Sequence, residues 1–168
     1  MSTSVLVINC GSSSIKYALV SERREDRIFG LAENLGSAEA RIKGITTGGA
    51  ELELSIPNAD HEKALEIILE RLSHHNPQAI GHRVVHGGHV FAEPMLIDDA
   101  LLPQLEALSP FAPLHQPHNL AGIRAAQAAF PDVVQVACFD TAFHRHHPWV
   151  NDAFALDRKS TRLNSSHT

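Results

Sequence analysis

Residues 4–20 read SVLVINCGSSSIKYALV. Two apolar runs rich in β-branched side chains, SVLVIN and IKYALV, flank the small-residue stretch CGSSS. Strand-like runs joined by a short glycine-containing turn predict an antiparallel hairpin. Residues 28–35 and 52–56 are weaker strand candidates, with ITTGGAE as a turn between them. Over residues 60–74, Ala64, Leu65, Ile68, Leu69 and Leu72 recur at helical spacing, which predicts one buried stripe with Asn58 or Asp60 as the cap. Residues 79–86 (AIGHRVVH) read as a strand closed by Gly87 and Gly88. Two helices are expected next: 98–108, with Pro103 in its first turn, and 117–130, opened by Pro117. The nearly all-apolar VVQVACFD of 133–140 predicts a strand buried on both faces. The order β-β-(β-β)-α-β-α-α-β is that of an α/β domain with a mixed sheet, without internal repeat or linker.

Composition narrows the function. The 168 residues hold 14 Lys and Arg against 19 Asp and Glu, a net charge of −5, with 43% hydrophobic residues. A net acidic chain with scattered cations lacks the footprint of a nucleic-acid or anionic-membrane binder. Apolar content argues against disorder, and no apolar run is long enough to span a bilayer. The opening MSTSVLVINC has neither the cationic start nor the long apolar run of a signal peptide, so a cytoplasmic protein is expected. Cys10 and Cys138, far apart inside apolar runs, read as buried thiols and not a disulfide.

Four polar clusters fall at the ends of predicted elements, where α/β sites are built. Asn9-Cys10-Gly11-Ser12-Ser13-Ser14 with Lys16 has the small residues of a phosphate nest, though not the Walker spacing; an ordinary hairpin turn is the alternative. In GHRVVHGG, alternation sends His82, Val84 and His86 to one face and Arg83 and Val85 to the other. The guanidinium fork of Arg83 suits a carboxylate or phosphate, or pairs with an internal carboxylate. Val85 beside it lines a small apolar pocket. The proline-stiffened PFAPLHQPHN holds His115 and His118, and punctuates the next helix in any case. Asp140 follows a strand directly, a frequent place for a catalytic or metal-orienting acid, and equally for a turn or helix cap. His74 and His75, and His144, His146 and His147, have neither cysteine pairs nor HExxH spacing, so solvated histidines outweigh a metal-binding protein.

Together the segments VLVINCGSSSIKY, GHRVVHGG, FAPLHQPHNLAGI and VACFDTAFH, in this order, resemble the signatures of the acetate kinase family over residues 5–157. The resemblance implies a ribonuclease-H-like domain of the sugar kinase, Hsp70 and actin type. It also implies reversible phosphoryl transfer from ATP to acetate, giving acetyl phosphate and ADP, with Mg²⁺ or Mn²⁺ as the cation. By the same resemblance Asn9 lies near the metal, and Ser12, Ser14 and Lys16 contact phosphate. Arg83 holds the substrate carboxylate, Val85 and Leu114 receive the methyl group, and His115 stabilises the phosphoryl group in transfer. Asp140 is the essential acid. The family further implies a homodimer in the full-length parent, while composition points away from a nucleic-acid or membrane partner. A propionate or short-chain acyl kinase, and a non-catalytic ATP-binding module of the same fold, are the alternatives.

Family members are more than twice this long, so residues 1–157 are expected to be the first of two domains and inactive alone. The remaining 158–168 (RKSTRLNSSHT) lack periodicity and acids, and resemble translated adaptor sequence rather than part of the fold.

Overall fold

The computed structural model describes residues 2–91 and 93–140. Ser4–Cys10 (β1) and Ile15–Ser21 (β2) form the expected hairpin, with Ser4 opposite Ser21 and Cys10 opposite Ile15. Ile28–Glu33 (β3), Arg41–Ile45 (β4) and Glu51–Ser55 (β5) extend it as an antiparallel meander. His61–Leu72 (α1) leads into Ala79–Val84 (β6), which pairs in parallel with β1. After the two-residue Met95–Leu96 (β7) come Leu101–Glu106 (α2), Gln116–Ala129 (α3) and Val134–Phe139 (β8). β8 pairs in parallel with β6 and antiparallel with β7. The sheet order is β5-β4-β3-β2-β1-β6-β8-β7. Three antiparallel strands followed by two parallel ones at its centre match the ribonuclease-H-like arrangement.

Register explains which face is buried. Leu6, Ile8 and Cys10 of β1 stand beside Leu19, Tyr17 and Ile15 of β2, and all six are buried. The same row continues through Ile80, His82 and Val84 of β6 and through Gln135, Ala137 and Phe139 of β8. Onto this row α1 sets Ala64, Leu65, Ile68, Leu69 and Leu72, and α3 sets Leu120, Ile123 and Ala126. Each large side chain buried this way contributes about 1.5–3 kcal/mol. Asp60, one of the two expected caps, accepts a 2.9 Å bond from the Lys63 N–H and starts α1. Asp98 accepts from the Leu101 N–H at 2.7 Å, so α2 begins three residues later than expected.

Three expectations need correction. β8 is not buried on both faces: Val134 is 53% exposed, because the helices pack on the other face of the sheet. For the same reason Cys138 is exposed, while Cys10 is buried, and both are free thiols. The segment before ITTGGAE contains a strand, β4, that its interrupted apolar pattern hides. Only Ile42 of β4 is buried, while Arg41 and Lys43 sit across from Glu33 and Glu53, with Arg41 2.7 Å and Lys43 3.4 Å from the Glu33 carboxylate. The histidines at 144, 146 and 147 and the 158–168 segment lie outside the described residues. No helix among the described residues is long and apolar enough to cross a membrane.

His82 lies in the core and donates from Nε2 to the Gln135 Oε1 at 2.7 Å. Burial depresses its pKa from 6.5 to about 4, the bond to Gln135 offsetting only part of that. Between those values the unfolded chain holds a proton that the folded chain does not, so stability rises with pH across this window. Between pH 7 and pH 5 the wild-type chain should lose about 2 kcal/mol more stability than His82→Gln. Urea unfolding at the two pH values checks this; equal losses would contradict it.

Candidate functional site

Parallel strands that start at one edge also end at one edge, and β1, β6 and β8 deliver their last residues to the same place. Asn9, Cys10, Gly11, Ser14, Lys16, Arg83, Val85, His115 and Asp140 line a single cleft of about 270 Å³. Seven of the nine site residues expected from sequence are among them. Ser12 is exposed on the neighbouring turn. Leu114 is 71% exposed and does not line the cleft. A larger cavity, about 550 Å³, lies on the uncovered sheet face among Val7, Ala18, Phe29, Leu31 and Ile45. It shares only Asn9 and Lys16 with the cleft and has few converging polar groups.

Arg83 and Cys138 are paired across β6 and β8, which puts Asp140 two residues further along the same face. Arg83 Nε donates to both Asp140 oxygens at 2.9 and 3.0 Å, and Nη2 donates to Oδ2 at 2.7 Å. This fork is the geometry in which arginine recognises a carboxylate. The bonds to Asp140 raise the Arg83 pKa further, so the guanidinium stays charged.

The turn after β1 is closed by a 2.8 Å bond from the Gly11 N–H to the Ser14 carbonyl. Cys10, beneath it, is no nucleophile, since burial pushes its thiol up to about 12. His115 sits just before α3 and half-buried against the cleft. His118 stacks on His61 with ring centroids 4.1 Å apart. Desolvation, and then the neighbouring His61 and His115, hold the His118 pKa below its ordinary value.

Sequence reading passed over two residues here. The buried Asn119 donates from Nδ2 to the Cys10 carbonyl at 2.7 Å and accepts at Oδ1 from the Val85 N–H at 3.0 Å. His61 Nε2 lies 2.8 Å from the Gly11 carbonyl. Both bonds span many residues, and no local pattern announces them.

Asn9 and Asp140, both of which carry hard oxygen donors, line the cleft. Mg²⁺ commonly takes one or two carboxylates, substrate phosphates and several waters, and this donor set fits that habit. Among the described residues no group of three His, Cys, Asp or Glu side chains is placed to hold a metal ion unaided.

Residues 4–164 match the family model of the acetokinase family. The chain belongs to the acetokinase family. An acetate kinase of Streptomyces avermitilis is 48% identical over 167 residues, 94% of this chain and 41% of the relative. Acetate kinase 1 of Vibrio cholerae is 48% identical over 163 residues, covering 93% of this chain and 41% of the relative. Among solved structures, a propionate kinase from Francisella tularensis superimposes with a TM-score of 0.77 at 33% identity, over 97% of this chain and 43% of the other. Porphyromonas gingivalis acetate kinase gives 0.75 at 36% identity, over 87% and 39%. The family's ribonuclease-H-like fold is therefore the fold of this chain, which spans about two-fifths of the length of these acetokinase relatives.

Close packing fixes the acetokinase cleft. A Cβ on Gly122 of α3 would lie 2.7 Å from the Cys10 sulfur, so a larger residue there forces the buried Cys10 side chain or α3 to shift. Gly122→Ala should destabilise the fold by about 1–3 kcal/mol in denaturant unfolding. Unchanged stability would mean that α3 does not press on β1 in solution.

Proposed function

We propose that this chain carries the carboxylate-binding and phosphate-binding half of an acetate kinase site, for reversible transfer of the ATP γ-phosphoryl group to acetate. The supporting observation is the convergence of Arg83, Asp140, Asn9, Ser14, Lys16, Val85 and His115 on one cleft. The whole activity is proposed for a chain of full family length, since this chain spans 41% of the length of the Streptomyces avermitilis relative.

In this reading the acetate carboxylate takes the Arg83 fork in place of Asp140, with its methyl group toward Val85. The carboxylate is ionised at neutral pH, so no general base is required. One carboxylate oxygen bonds to the γ-phosphorus as the bond from that phosphorus to the β–γ bridging oxygen breaks, and ADP leaves with the electron pair. Catalysis of so loose a transition state is positioning and charge neutralisation. The Ser12 and Ser14 hydroxyls, the turn amides and Lys16 bind phosphate oxygens, and the His115 ring donates to the group in transit. Asp140 and Asn9 would hold the divalent cation, Mg²⁺ or Mn²⁺. When bound, it neutralises phosphate charge. A cytoplasmic setting, where ATP is available, accords with this reading.

In a full-length enzyme containing these residues, Arg83→Ala should lower kcat/KM for acetate by about 100-fold or more. Arg83→Lys should restore little, since a point charge does not reproduce the fork. Wild-type-like kinetics for either variant would overturn the assignment. The purified 168-residue chain should form no acetyl phosphate in a hydroxamate assay; measurable turnover would mean that these residues hold a complete site.

A further inference from the structure

Two successive carbonyls of the turn after β1 are each gripped by a side chain from a different helix. Asn119 of α3 donates to the Cys10 carbonyl at 2.7 Å, and His61 of α1 lies 2.8 Å from the Gly11 carbonyl. A carbonyl only accepts, so His61 carries its proton on Nε2 and donates. The peptide unit is planar and trans, so fixing a carbonyl also aims the N–H on its far side. Holding the Cys10 carbonyl therefore fixes the Gly11 N–H, which closes the turn on Ser14 at 2.8 Å. Holding the Gly11 carbonyl points the Ser12 N–H away from α1, on the turn where Ser12 and Ser13 are exposed.

Asn119 has a second attachment. Its Oδ1 accepts from the Val85 N–H at 3.0 Å, one residue past the end of β6 and two past Arg83. One buried amide thus ties the end of the phosphate turn to the end of the carboxylate-binding strand. Its orientation is unambiguous: the N–H of Val85 requires an acceptor and the carbonyl of Cys10 a donor. A substitution here cannot satisfy both by halves, because each buried group left unpaired carries its own penalty.

We propose that Asn119 and His61 are positioning residues: they set two successive peptide planes of the phosphate turn, and Asn119 fixes the distance of that turn from the Arg83 strand. Neither lines the cleft. The inference rests on the kinase reading for what the turn binds, but the clamp itself is readable without turnover.

The test uses the 168-residue chain, with amide hydrogen exchange at Gly11 and Val85 and titrations with inorganic pyrophosphate and with acetate. Asn119→Asp keeps an acceptor for Val85 and loses the donor to Cys10. It should speed Gly11 exchange at least tenfold, leave Val85 within about threefold, and weaken pyrophosphate about tenfold with acetate binding unchanged. Asn119→Ala should release both amides. His61→Phe keeps a ring against His118 without a donor, and should weaken pyrophosphate alone; His61→Gln, which retains an N–H, should recover most of that loss. If Asn119→Asp fails to fold, the His61 pair still separates a directed bond from bulk. Equal exchange changes at Gly11 and Val85 in Asn119→Asp, or equal behaviour of the two His61 variants, would overturn the clamp. Absence of pyrophosphate binding by the wild-type chain would instead overturn the phosphate reading of the turn, while the exchange pattern still judges the clamp.

Discussion

Parallel pairing of β1 with β6, and of β6 with β8, is the constraint on which the rest depends. It brings three strand ends to one edge, and pleating then divides each strand into a core row and an open row. Asn9, Arg83 and Cys138 belong to the open row, which leaves Asp140, two residues beyond Cys138, on the side of Arg83. A one-residue slip of β8 would turn Asp140 toward the helices and leave Arg83 without its partner. Register is therefore a functional quantity here, and the core row has to enforce it.

In β8 apolar burial alone enforces register weakly, because a one-residue slip would replace Gln135, Ala137 and Phe139 with the equally apolar row Val134, Val136 and Cys138. The directed bond between His82 and Gln135 is less forgiving: only this register places a donor beside its acceptor inside the core. Asn119 does the same between α3 and the two strand ends. Gln116, fully buried at the start of α3, donates to the Leu105 carbonyl at 3.1 Å, yet among the described residues its Oε1 has no partner.

The hairpin, α1 and α3 were legible because their apolar periods are uninterrupted over two turns or one full strand. β4 was not: Gly44 and two cations break its alternation, and cross-strand ion pairs with Glu33 hold it instead. β8 misled in the other direction. Its composition is that of a strand covered twice, yet only the Gln135, Ala137 and Phe139 row meets helices. In the site, residues whose chemistry shows in their type and position, such as Arg83 and Asp140, were found from their segments. Asn119 and His61 were not, because their significance lies in bonds to residues 34 to 109 positions away. Ser12 and Leu114 show the converse: a motif names them, while the cleft here is lined without them.

The Arg83–Asp140 pair finally decides how easily the cleft changes occupant. Three short bonds suggest a tight latch, but the Arg83 side chain is 52% exposed and that of Asp140 29%. Pairs this accessible are well solvated, and such exposed ion pairs are worth about 0–1 kcal/mol. A second carboxylate entering the fork forms the same bonds that Asp140 gives up, but Asp140 is tethered beside Arg83 and the newcomer is not, so the exchange by itself disfavours binding. What tilts it is where Asp140 goes next. With only water to receive Asp140, the incoming carboxylate gains little; in the proposed reaction a divalent cation near Asn9 would give Asp140 a partner of opposite charge. Under that proposal, cation binding and carboxylate binding would favour one another through a single side chain.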